Sequence, residues 1–370
     1  MESTKYIGMD VHKDAISIAV LNSSGKLVME SIIETKAITI LEFVHGLRGS
    51  LYLTFEEGTW AAWLYDLLKP HVTKLVVCDP RRNDYLKQGS KSDRIDARKL
   101  AELLRSNLLR PVYHGEHGVR PLKELARSYL TITKDQARVM TRVKAVYRSW
   151  AIPCAGKQVY GQRHRLEWLG KIQEAGVRRR AEFYYVQLDA LRSLRLVVRR
   201  ELLLESRKHG ASKLLSQIPS IGPIRAALLI ALLQTPDRFR TKRQLWAYSG
   251  LAIETHDSAE NQYVNGQLQR SRKQASIRGL NQNHNHDLKN LFKSASAVAA
   301  AKAGPFQKFY DAQIGKGLKP EMARLTLARK IAAITLIVWK KGAPATPLGW
   351  LYESETLLIE RGDCRALGRN

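Results

Sequence analysis

The first eighty residues alternate between strand-like and helix-like runs in one fixed order, and that order restricts the fold more than any other feature. Tyr6–His12 and Ala15–Leu21 read as strands, and Asn22-Ser-Ser-Gly25 supplies a hairpin turn into a third, Leu27–Glu34. Ala37–Leu47 has helical spacing (Ile38, Leu41, Val44, Leu47). Leu51–Glu56 then reads as a fourth strand, Trp60–Leu68 as a second helix and Lys74–Cys78 as a fifth strand. The expectation is a mixed sheet covered by helices.

Three antiparallel strands followed by two α/β units is the order of a ribonuclease-H-like domain. Asp10 sits inside the first of these strands, where a charge without a partner is expensive. Glu56 ends the fourth strand, which neighbours the first in this sheet order, so the two carboxylates converge at one edge. Asp93 and Asp96 are three residues apart on a helix read over Ser92–Asn107 and share a face. Four carboxylates at one locus suit Mg²⁺ or Mn²⁺, which take oxygen ligands and keep positions open for water and phosphate. Two such ions about 4 Å apart activate an attacking oxygen and stabilise a leaving one. Plainer roles stand beside this one. Asp93 near a helix start suits a cap or the helix dipole, Asp96 suits a surface pair with Arg98, and Glu57 competes with Glu56 as the ligand.

Charge separates the chain into two parts. Up to residue 110 there are 16 Lys and Arg against 14 Asp and Glu; after it, 45 against 20. A nearly neutral acid-bearing domain is followed by a polycation, whose partners are polyanions held by salt-sensitive contacts to phosphate. Cys78, Cys154 and Cys364 have no paired spacing, which argues against disulfides and a cysteine zinc site. Met1-Glu-Ser-Thr lacks the basic and apolar parts of a signal peptide, and the apolar runs near Ala226–Leu233 and Ile331–Trp339 are too short to span a bilayer. The expectation is a cytoplasmic protein with no membrane partner.

Residues 111–212 read as helical, with 21 basic and 9 acidic groups, broken at Pro153 and Gly156. Apolar residues at Tyr184, Leu188, Leu191, Val198 and Leu202 approach a heptad interrupted by Arg195, as in a coiled-coil-like hairpin that pairs with another subunit or in a plain amphipathic helix. A mostly α domain over 213–345 opens with Ile218-Pro-Ser-Ile-Gly-Pro223, a glycine turn between apolar helices that suits either a phosphate contact or a helix corner. It ends in a helix over Met322–Lys341, and 346–370 reads as a tail.

The histidines contribute little at this level. His284 and His286 have nothing nearby to complete a zinc site, and His12, His114 and His117 read as ordinary surface or loop residues. Ser258, in Thr255-His-Asp-Ser-Ala259 ahead of Arg270, Arg272, Lys273 and Arg278, is a hydroxyl beside cations, a setting for attack on phosphate; it is one of many loop serines.

Tyr6-Ile-Gly-Met-Asp10, Phe55-Glu56-Glu57 and, most specifically, Lys91-Ser-Asp-Arg-Ile-Asp-Ala-Arg-Lys-Leu-Ala101 resemble the DEDD transposases of bacterial insertion sequences. This is the insertion-sequence 110 family, which also includes pilin-gene DNA invertases. Asp237-Arg-Phe-Arg240, Gln244-Leu-Trp-Ala-Tyr-Ser-Gly-Leu251 and Ala328-Arg-Lys330 are similar to the family's second domain, and the likeness runs over about 5–345. It implies a ribonuclease-H-like (RuvC-like) domain over 1–110 whose metal-binding acids are Asp10, Glu56, Asp93 and Asp96. It also implies a nucleophilic serine at the position of Ser258, although the glycines the family places after that serine are absent here. Further implications are a covalent phosphoserine, double-stranded donor and target DNA, a guide RNA transcribed from the element, a homo-oligomer (dimer or tetramer) and a bacterial, nucleoid-associated setting. The competing reading is a Holliday-junction-type endonuclease with the same acids and water as nucleophile. A small-molecule kinase is disfavoured, because Asp10 is followed by Val-His-Lys where a phosphate-binding turn is needed.

Overall fold

Strands β1 (Lys5–Val11), β2 (Ala15–Asn22) and β3 (Leu27–Glu34) form an antiparallel meander. The turn between β2 and β3 is closed by Asn22, whose Oδ1 accepts from Ser24 Oγ at 2.7 Å and from the Lys26 backbone N–H at 2.9 Å. Helix α1 (Ala37–His45) leads to β4 (Leu51–Glu56), and α2 (Ala61–Leu68) leads to β5 (Lys74–Cys78). β4 lies parallel to β1, and β5 parallel to β4, so the sheet order is β3-β2-β1-β4-β5. The computed structural model describes residues 4–80, 92–115, 117–256, 261–264, 266–270 and 276–343, which fall into two units divided at Gly115 and Glu116.

Strand alternation gives the sheet two unlike faces. Ile7, Met9, Leu53 and Phe55 point to the side covered by α1 and α2 and make the main core of this unit with Ile40, Val44, Leu64 and Leu68. The other side presents small residues, Gly8, Ala19 and Thr54, to α3 (Asp93–Arg105). There Ala97, Leu100, Ala101 and Leu104 are buried. The fit is close: a Cβ on Gly8 would stand 2.2 Å from the Ala97 carbonyl oxygen. Arg98, on the outer side of α3, is paired with Glu30 of β3, one oxygen of that carboxylate lying 2.6 Å from Nη2.

The second unit is dominated by helices. α4 (Arg120–Ser149) and α6 (Ala175–Arg207) pack side by side as a hairpin, with the short α5 (Arg165–Gly170) at its closed end. Tyr147 and Tyr185, both buried there, satisfy each other's hydroxyls at 3.0 Å, and Tyr185 also donates to the Val159 carbonyl at 2.8 Å. Arg165 of α5 grips Asp189 of α6 through two bonds, 2.6 and 2.9 Å, which holds that carboxyl below its ordinary range. The heptad-like residues of α6 face inward: Leu188 and Leu202 are buried, and Tyr184, Leu191 and Val198 are packed against the unit's cores. Arg195, which interrupts the repeat, donates to Gln136 of α4 at 3.3 Å.

Helices α7 (Gly210–Leu215), α8 (Pro223–Leu233), α9 (Lys242–Tyr248), α10 (His286–Ala301), α11 (Pro305–Gly315) and α12 (Pro320–Lys341) complete the unit around one core that also takes in Leu122, Ala126 and Leu202 from the hairpin. The left-handed residue of the turn before α8 is Ser220 (φ 68°), whereas Gly222 is extended. Four short strands read as loops in the sequence lie between α9 and α10. β6 (Ile253–His256) pairs with β9 (Ser276–Leu280), and β7 (Asn261–Val264) with β8 (Gln267–Arg270). Among the described residues no helix is long and apolar enough to cross a membrane.

Candidate metal centre

The C-terminal edge of the parallel strands and the N-terminus of α3 bring Asp10 and Asp93 together, whereas Glu56 and Asp96 lie outside the group of mutually close ligand atoms. Asp10 is the next-to-last residue of β1. Glu56 ends β4 and follows Phe55, whose partner in the parallel register is Met9. The two acids therefore stand side by side at the same edge and on the face that α3 covers. Ser92 caps α3, its Oγ accepting from the Ile95 N–H at 3.3 Å, so Asp93 is not the cap; it and Asp96 occupy the first turn. Gly8 lets that turn descend onto the end of β1.

His12 joins them. Its Nε2 is 3.1 Å from Asp10 Oδ2 and 3.6 Å from Asp93 Oδ1, and ligand atoms of Asp10, His12 and Asp93 all lie within 4.8 Å of one another. As the sequence suggests, His12 is a surface residue, its side chain 56% exposed; its two-residue spacing from Asp10 also puts both side chains on one side of the strand end. The backbone of His12 is pinned: its N–H donates to the Ala15 carbonyl at 3.1 Å, and its carbonyl accepts from Thr35 Oγ1 at 2.9 Å.

Electrostatics favour a cation here. Burial pushes the Asp10 carboxyl up from its ordinary value; the charge and hydrogen bond of His12 oppose the rise, and the charges of Asp93 and Asp96 add to it. Asp96 Oδ1 is sealed from solvent and has no hydrogen-bond partner among the described residues. An orphaned carboxylate oxygen is costly, and a divalent ion among these acids would satisfy it. The donor set fits such an ion, while the exposed flank of Asp93 and His12 leaves room for water or a phosphate oxygen.

The neighbouring carboxylate has another task. Glu57 Oε2 is 2.7 Å from His114 Nε2, and the His114 ring stacks on Tyr65, centroids 4.7 Å apart. Glu57 is thereby engaged on the His114 side of the strand end. Arg98, a sequence-level partner for Asp96, is taken by Glu30. Ser258 lies outside the described residues. In the second unit His284 and His286 lie against each other, ring centroids 4.4 Å apart, and His284 packs where a Cβ on Gly250 would fall. Arg329 donates to the Leu251 carbonyl at 2.6 Å, ahead of the serine segment.

A transposase family model, of the DEDD insertion-sequence 110 kind, matches residues 7–150, and a model described as transposase IS116/IS110/IS902 family matches residues 212–311. A transposase for insertion sequence element IS1533 from Leptospira borgpetersenii is 33% identical over 114 residues, which is 29% of this chain and 32% of the relative. The chain thus spans about a third of the length of that curated relative. An acid-bearing sheet and two transposase models covering more than half of the sequence define a transposase-class chain. It belongs to the insertion-sequence 110 family.

Proposed function

We propose that this chain is the DNA transposase of an insertion sequence, cutting and rejoining DNA through Ser258 with help from a divalent-metal site in a ribonuclease-H-like domain. One observation carries the reading: Asp10 and Asp93 meet at the end of β1, beside a sealed Asp96 oxygen unpartnered among the described residues and the matched strand end that bears Glu56. A bound Mg²⁺ or Mn²⁺ would supply charge stabilisation to the attacking and leaving oxygens. Asp10, Glu56, Asp93 and Asp96 would hold it. Ser258 Oγ forms a bond to phosphorus while the bond from phosphorus to a deoxyribose oxygen breaks, and the serine proton ends on that leaving oxygen. Rejoining reverses the exchange with a hydroxyl of another strand. The excess of basic groups after residue 110 supports a protein that grips donor and target duplexes and a structured guide RNA through their phosphates.

The decisive test is mass spectrometry of protein trapped during strand exchange. A nucleotide attached at Ser258 is the expected result, together with loss of the adduct and of joined product in Ser258→Ala. Cleavage that persists in Ser258→Ala would instead mean water is the nucleophile, as in a junction-cutting endonuclease.

The chain also works as a homo-oligomer. Phe183, Val186, Leu194, Val197 and Leu204 project from α6 away from its seam with α4, each more than half exposed. A stripe of that length on a helix in water suits pairing with a second copy. Leu194→Glu with Val197→Glu is expected to halve the sedimenting mass or reduce it further without lowering the melting temperature, since neither residue contributes to the monomer's core. A variant that sediments like the wild type would refute the pairing.

A further inference from the structure

The imidazole at the metal centre is not explained by a site built of carboxylates alone. Three observations set it apart from the other histidines. Its Nε2 faces both Asp10 and Asp93, at 3.1 and 3.6 Å. It belongs to the one group of three potential ligand residues, Asp10, His12 and Asp93, found among the described residues. Its main chain is fixed on both sides, by Ala15 and by the hydroxyl of Thr35 from the end of β3, and Thr35 N–H in turn donates to the Asp14 carbonyl at 3.2 Å. A surface histidine serving only solubility needs no such bracing, whereas a ligand does, because a fixed donor loses less freedom on coordination.

We propose that His12 is a nitrogen ligand of the metal centre and biases it toward transition-metal ions over Mg²⁺. This rests on the metal site described under the proposed function. Mg²⁺ is a small, hard ion that prefers oxygen and holds its water, whereas imidazole nitrogen binds more strongly to first-row transition ions. A site of carboxylates only would discriminate weakly between Mg²⁺ and Mn²⁺. Replacing one oxygen or water by Nε2 raises the affinity for Mn²⁺ and leaves that for Mg²⁺ nearly where it was. The contact between His12 and Asp10 is then the metal-free arrangement: the imidazole occupies the acids until an ion draws both groups to itself.

The competing role is that of a counter-charge, in which His12 merely offsets the carboxylates. The two roles differ in sign. A counter-charge competes with every cation alike, so its removal would leave the affinities for Mn²⁺ and Mg²⁺ unchanged or raise both. Removing a ligand weakens Mn²⁺ selectively.

The experiment uses the full chain without nucleic acid. Mn²⁺ binding is followed by the loss of the free-ion electron paramagnetic resonance signal, with Mg²⁺ as competitor, and pulsed spectra of the bound ion are examined for coupling to a coordinated nitrogen. Nitrogen coupling is expected in the wild type and absent in His12→Ala, with Mn²⁺ affinity lowered by about tenfold or more and Mg²⁺ affinity changed far less. His12→Gln, which puts an amide oxygen near the position of Nε2, is expected to recover part of the Mn²⁺ affinity without the nitrogen signal. No nitrogen coupling in the wild type, or equal changes for both ions in His12→Ala, would overturn the proposal. Asp10→Asn separates this from the underlying reading. If it abolishes Mn²⁺ binding while His12→Ala has no selective effect, only the nitrogen ligand falls. If Mn²⁺ binding survives in Asp10→Asn, the metal centre falls with it.

Discussion

Asp10→Asn is expected to reduce DNA strand cleavage by at least about a hundredfold while leaving DNA binding close to the wild-type level. The amide is nearly isosteric with the carboxylate but brings no negative charge, so it is a poor ligand for a hard divalent ion. It removes no contact to a phosphate. The stability response distinguishes this from simple damage. In the metal-free protein Asp10 is held above its ordinary pKa, chiefly by burial and further by Asp93 and Asp96. A carboxyl raised in that way lowers folded-state stability once it ionises. The penalty is present above its raised pKa and is relieved as the pH falls through it. The metal-free Asn variant should therefore melt no lower than the wild type at neutral pH, and it should lose the rise in melting temperature that Mn²⁺ gives the wild type. Cleavage gels, a binding titration and paired melts with and without Mn²⁺ decide it. Binding that collapses together with cleavage would remove Asp10 from the metal centre.

The acids were legible because their positions follow from period and order alone. An acid in a strand interior, another at the end of the neighbouring strand and two at the head of a helix are pattern features, and the helix read over Ser92–Asn107 runs over Asp93–Arg105. His12 was not legible in the same way. Its meaning depends on the turn into β2 being braced by Thr35, twenty-three residues along the chain, which no local pattern encodes. The heptad-like repeat of α6 was visible, but its direction was not. Period identifies a stripe without saying what covers it, and here α4 and the unit's cores cover Tyr184, Leu188, Leu191, Val198 and Leu202, while a different stripe faces outward. The strands between α9 and α10 escaped for the opposite reason. Asn261-Gln-Tyr-Val264 and Gln267-Leu-Gln-Arg270 contain few apolar residues, so the pairing leaves little hydrophobic alternation in the sequence.

Gly8→Ala is expected to cost about 1–3 kcal/mol or more and to weaken Mn²⁺ binding, although Gly8 bears no ligand. Its added Cβ would lie 2.2 Å from the Ala97 carbonyl oxygen, 2.5 Å from the Ala101 nitrogen and 3.0 Å from Leu100 Cβ. The first two are main-chain atoms within one helix, so no rotamer change relieves them. Either α3 lifts from the sheet by about an ångström, the shortfall from an ordinary contact, or β1 bends away from β2 and β4. In both cases Asp93 and Asp96, in the first turn of α3, separate from Asp10 and His12 at the end of β1. Stability and metal affinity should fall together, because one close approach secures both. Gly58→Ala is the control: it follows Glu56 and Glu57 at the same sheet edge, and a Cβ there meets nothing within 4 Å. That variant should match the wild type in denaturant midpoint and in Mn²⁺ affinity. If Gly8→Ala does so too, the descent of α3 onto β1 is not what assembles the centre.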